Sequence, residues 1–172
     1  HGDDDGLRIP PVLAPIQVVV MAIKDEVVDA VHQIGADLRA AGVRVRVDDR
    51  ADIPFGRRAV DWELKGVPLR VEVGPRDLAA GTATLARRLS GGGKSPVALT
   101  DLVAEVTRVL AEEQQNLLAE ATAARDARIV EVSSVEDAAE ASTDGWAKID
   151  WSVLGLEGEA KLAQSAVTVR CL

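Results

Sequence analysis

The 172-residue sequence is poor in the residue types that most often carry chemistry. Its one cysteine, Cys171, excludes a disulfide framework and a cysteine-rich metal site. Its two histidines stand far apart: His1 is terminal, and His32 sits in a helical pattern without a neighbouring Cys or His, so neither reads as a metal ligand. Tyrosine is absent, and Phe55, Trp62, Trp146 and Trp151 are the only aromatics, so the core must be built from Val, Leu, Ile and Ala. No run of eighteen apolar residues occurs, which excludes a helical membrane span. The opening His1-Gly2-Asp3-Asp4-Asp5 reads as a polar lead-in rather than a signal peptide. Glycines precede Lys94-Ser95, but a phosphate loop needs a further glycine where Arg88 stands. No complete catalytic constellation is visible.

What is present is ordinary globular material, 47% hydrophobic and 28% charged. The net charge of −8 argues at first against a nucleic-acid partner. Its distribution argues otherwise. Residues 1–43 carry 3 basic and 7 acidic side chains, residues 44–96 carry 11 and 7, and residues 97–172 carry 6 and 14. The middle third alone is basic, an asymmetry that calls for a partner there.

Periodicity supplies the organisation. Ile16–Ile23 is a continuous apolar run, the pattern of a strand buried on both faces. Asp25 opens a helix with Val27, Val28, Val31, Ile34 and Leu38 at helical spacing, closed by Gly42. Val43–Val47 alternates, completing a strand–helix–strand start to an open sheet. Arg57–Lys65 reads as a short helix, Leu69–Val73 as an alternating strand and Gly74–Asp77 as a turn. Thr82–Leu89 and Pro96–Leu99 read as a hairpin across Ser90-Gly91-Gly92-Gly93-Lys94. A long helix runs from Thr100 to about Arg125. Beyond Ala127, short units follow: strand Arg128–Ser133, helix Val135–Ala141, strand Trp146–Trp151, helix Gly158–Ser165 and strand Val167–Cys171.

The basic residues recur as Arg44, Arg46, Arg57, Arg58, Lys65, Arg70, Arg76, Arg87, Arg88 and Lys94. Phosphate contacts need only such positive groups close together. Reading a base needs a carboxylate that accepts from an amino group and a guanidinium that donates to guanine acceptors. Glu63 and Arg70 offer that combination. They suit equally well a surface ion pair between helix and strand.

The run Asp61-Trp62-Glu63-Leu64-Lys65-Gly66-Val67-Pro68-Leu69-Arg70-Val71-Glu72-Val73-Gly74-Pro75-Arg76-Asp77-Leu78 resembles the anticodon-binding domain of the archaeal/eukaryotic-like prolyl-tRNA synthetases. The segment from His1 to Pro11 is similar to that family's passage from the class II catalytic domain, and Leu13–Val19 to its first anticodon-domain strand. Gly145-Trp146-Ala147 and Val169-Arg170-Cys171-Leu172 resemble its C-terminal domain. The resemblance implies an α/β fold, a mixed β-sheet flanked by helices, followed by a small α+β domain. It assigns guanine reading to Glu63 and Arg70, and further contacts near the anticodon loop to Arg58 and Lys94. Arg57 adds charge where the family's Gly-Trp-Lys-Phe run has become Gly56-Arg57-Arg58-Ala59, without its aromatics.

The family's last domain holds zinc through several cysteines. Here Trp151-Ser152-Val153-Leu154-Gly155 stands in their place, so no zinc is expected, and Trp151, Val153, Leu154 and Leu156 are expected to pack instead. The resulting expectation is the tail of a larger enzyme: lead-in 1–13, anticodon-binding domain 14–126 and C-terminal domain 127–172. This part would bind proline tRNA without catalysing. ATP and magnesium would serve the catalytic domain of a cytoplasmic homodimer, and no membrane is involved. The alternative is a protein-interaction or oligomerisation module whose middle charges are merely solvated.

Overall fold

The computed structural model describes residues 2–89 and 93–170. The residues of the glycine-rich hairpin tip at 90–92, as well as His1, Cys171 and Leu172, lie outside the described residues. Two compact units divide between Leu118 and Ala119.

The first unit opens with a small antiparallel pair, β1 (Gly2–Asp3) and β2 (Gly6–Leu7). Then follow β3 (Val18–Ala22), α1 (Val28–Ala40), β4 (Val45–Asp48), α2 (Phe55–Leu64), β5 (Leu69–Val73), α3 (Pro75–Ala79), β6 (Thr82–Arg87), β7 (Lys94–Ala98) and α4 (Leu102–Asp126), whose residues up to Leu118 belong to this unit. The sheet order is β4-β3-β5-β6-β7, with β4, β3 and β5 parallel and the β6–β7 hairpin antiparallel. The mixed sheet flanked by helices is as expected. The segment read as a turn at Gly74 is the start of α3, with proline in its first turn and the Asp77 carboxylate accepting the Gly74 N–H at 3.0 Å.

Strand β3 is buried along its whole length because both faces of the sheet are covered. Val18, Val20 and Ala22 face the cluster made with α1 (Val31, Ile34, Leu38) and α4 (Leu102, Val106, Val109). Val19 and Met21 face the other cluster, with Ala59 and Trp62 of α2. Strand β5 departs from expectation: its alternation was the signature of one wet face, yet all five residues are buried. Leu69, Val71 and Val73 join the first cluster. Arg70 and Glu72 pair in register with Val19 and Met21, so they project on the same face as α2.

In the second unit β8 (Ile129–Glu131) pairs in parallel with β9 (Trp146–Lys148), and α5 (Val135–Ala141) and α6 (Trp151–Gln164) complete it. Ser134 caps α5 by accepting the Asp137 N–H, and Asp150 caps α6 by accepting the Ser152 N–H. The core gathers Ala138, Leu154 and Leu162, with Val132, Val135 and Ile149 packed against them. The expected packing by the 151–156 stretch is corrected here: Leu154 is buried, but Trp151, Val153 and Leu156 are exposed. Helix α6 starts at Trp151 and is broken by Gly155 at φ +54°, and a helix there turns one side chain in three or four inward rather than a packed run. Residues 167–170 form no strand. Among the described residues no three His, Cys, Asp or Glu side chains gather to hold a metal ion, and no helix is long and apolar enough to cross a membrane.

Candidate nucleic-acid interface

Helix α2 is amphipathic for a local reason. Phe55, Ala59 and Trp62 recur at four- and three-residue spacing and turn this face onto Val19 and Met21. That seats the last turn of α2 over β5, and two residues singled out from the sequence meet there. The Arg70 guanidinium lies 2.7 Å from the Glu63 carboxylate. Arg70 Nε donates to Glu72 Oε1 at 3.4 Å, and Lys94 Nζ donates to Glu72 Oε2 at 2.6 Å. The result is a line of alternating charge: Glu63, Arg70, Glu72, Lys94. Its middle is dry, with the Arg70 and Glu72 side chains 6% and 5% exposed, and its ends are wet, with Glu63 at 35% and Lys94 at 57%. The Lys94 ammonium also lies 5.9 Å from the centre of the half-buried Phe55 ring.

Such a line can accept a base amino group at Glu63, donate to guanine at Arg70 and meet a phosphate with Lys94. Arg57 is exposed on α2 and makes no ion pair among the described residues. Arg58 is placed otherwise. It is fully buried, and its three nitrogens donate to the Ile53, Asp48 and Ala22 carbonyls and to Asp48 Oδ1. A guanidinium so enclosed meets no RNA in this conformation; it anchors α2 to the sheet.

Much of the basic middle third is similarly spoken for. Arg50 and Arg58 pair with Asp48, Arg87 with Glu112 and Glu113, and Arg88 with Asp3. Arg46, Arg57, Lys65 and Arg76 are exposed and without ion pairs among the described residues.

Asp48 and Glu72 were missed as organisers. Asp48 ends β4 and Glu72 lies one residue before the end of β5, and the residue two positions earlier, Arg46 or Arg70, is a cation on the same face. That spacing was a usable signal. Asp48 also accepts the Trp62 indole N–H at 2.7 Å and both Nε and Nη2 of Arg50. Burial pushes its carboxyl up, but the Arg50 guanidinium, the Trp62 indole and the Arg50 backbone N–H outweigh that and hold it well below the usual carboxylate range.

Fold and charge line together define an α/β domain with a mixed five-stranded sheet and a partly exposed line of alternating charge beside α2. The family model described as "Anticodon binding domain" matches residues 17–109, and the chain belongs to that family. Over its whole length it is 60% identical to Proline--tRNA ligase 2 of Streptomyces avermitilis and 53% identical to Proline--tRNA ligase of Frankia casuarinae. Across 88% of its length it is 44% identical to Proline--tRNA ligase of Methanococcoides burtonii. The chain spans 37% of the length of the first two relatives and 32% of the third.

Proposed function

We propose that this chain reads the anticodon of a proline tRNA for a proline–tRNA ligase, chiefly through the two adjacent guanines of that anticodon. The enzyme as a whole uses ATP with magnesium to join proline to its tRNA and works in the cytoplasm as a homodimer. The present residues, 14–126 with the small domain 127–172, bind and position the tRNA and take no part in the chemistry. The observation that carries this reading is the meeting of Glu63 and Arg70 at 2.7 Å at one of the two wet ends of a charge line with a dry middle. In the free protein each satisfies the other. A guanine replaces both halves of the pair, donating its N1 and N2 protons to Glu63 and accepting from Arg70. A base that replaces only one leaves a desolvated charge unpaired, a penalty of about 1–3 kcal/mol.

The test is binding of two transcripts, proline tRNA and the same molecule with both anticodon guanines replaced. The expected result is a clear preference for the first, lost in Glu63→Gln while residual binding persists. Equal binding of both transcripts by the unaltered chain would discard the reading in favour of the interaction module.

A further inference from the structure

Arg88 is buried at the end of β6, where its backbone N–H donates to the Pro68 carbonyl at 2.9 Å. Nη1 and Nη2 grip the two oxygens of Asp3, Nη2 also donates to the Gly6 carbonyl at 3.1 Å, and Nε reaches the Glu63 carbonyl at 3.4 Å. Glu63 is therefore held twice, by Arg70 at its carboxylate and by Arg88 at its backbone.

The β1–β2 hairpin is pressed against this turn closely enough to exclude side chains. A Cβ on Gly6, whose φ is +120°, would lie 2.5 Å from Leu64 Cα. A Cβ on Gly66, at φ +69°, would lie 2.7 Å from Leu7 Cβ and 2.9 Å from Ile9 Cγ1. Packing this tight transmits a displacement rather than absorbing it.

We propose that Arg88 is a positioning residue that couples the Glu63–Arg70 pair to segment 2–9, so that a base bound at the pair tightens the hairpin and a seated hairpin sharpens base choice. This rests on the anticodon reading above. The coupling is reciprocal: whatever factor the tRNA adds to hairpin order, the ordered hairpin adds to tRNA affinity. It gives segment 2–9 the role of reporting anticodon occupancy to whatever that segment touches.

The experiment combines hydrogen exchange of the chain, with and without proline tRNA, and the two-transcript binding assay, on the unaltered chain and on Asp3→Asn and Arg88→Lys. Asp3 is partly exposed and also 3.8 Å from Arg8, so its amide variant leaves the core intact while removing the grip. Amides of residues 4–9 are expected to gain protection when tRNA binds. In Asp3→Asn that gain should vanish, and discrimination between the transcripts should fall at least about fivefold, the low end of usual coupling between sites. Arg88→Lys, which keeps charge without the fork, should fall between the two. If tRNA binds selectively but residues 4–9 exchange unchanged, or if Asp3→Asn discriminates as well as the unaltered chain, the coupling is overturned while the anticodon reading stands. If no chain binds tRNA selectively, the anticodon reading fails and takes the coupling with it.

Discussion

Two carboxylates lie in one cross-strand row, Asp48–Met21–Glu72, and α2 covers both ends of it. At one end Asp48 is enclosed by Arg58, Arg50 and Trp62, and every polar atom of the Arg58 head is satisfied inside the protein. At the other end Glu72 holds Arg70, which reaches out to the half-exposed Glu63, and Lys94, which stands in solvent. Each carboxylate is held by two cations, Asp48 by Arg50 and Arg58 and Glu72 by Arg70 and Lys94. What differs is closure. A closed network contributes to stability and offers nothing to a ligand, whereas an open one keeps charges in reserve that a ligand can take over.

Breaking the closed end should have the largest effect. Asp48→Ala strips the countercharge from a guanidinium without solvent access and leaves the Trp62 N–H without its acceptor, and such losses cost about 3–5 kcal/mol. A urea titration should show it, with tRNA binding lost only in proportion to unfolding. At the open end Glu63→Ala should lower stability by less than about 1 kcal/mol, because Arg70 keeps Glu72 and the removed carboxylate is partly wet. Its cost should fall on guanine discrimination, about 1–3 kcal/mol between the two transcripts. If the two variants shifted stability alike, the distinction between closed and open would be gone. Smaller again is Arg57→Ala. An exposed cation without a partner should weaken both transcripts about equally and lower the salt slope by about 1.

The contrast explains what was legible from sequence. Burial on both faces of β3, the start of the parallel sheet and the β6–β7 hairpin follow from apolar periodicity, which is local. Pairing of Glu63 with Arg70 was readable as a possibility because both of its members sit in one short run. The fate of Arg58 was not. It is adjacent to Arg57 and carries the same charge, yet a step along α2 turns its side chain from solvent to the sheet, and only the phase set by Phe55, Ala59 and Trp62 decides which is which. The same phase covers the supposedly wet face of β5. In the second unit the 151–156 stretch failed as a packing motif because apolar content without a helical period does not say which residue turns inward.

Acid offers a further test of the closed end. The Asp48 carboxyl ordinarily titrates at 3.8 and is held lower in the fold by Arg50 and Trp62 against the opposing effect of burial. A carboxyl lowered by folding adds stability that is complete above its ordinary value and drains away as pH falls through the folded one. Urea midpoints of the unaltered chain should therefore be steady near neutrality and drop below about pH 4. Partly exposed carboxylates such as Glu105 and Glu112, lowered beside Arg108 and Arg87, add to that drop, but they remain in every variant. Asp48→Asn cannot titrate at this position. It should be less stable at neutral pH and lose less on acidification, so that the two curves approach one another toward pH 3. Parallel curves for Asp48→Asn would mean that the enclosed carboxylate does not set the acid limit, and closure at Asp48 would then have no titration signature.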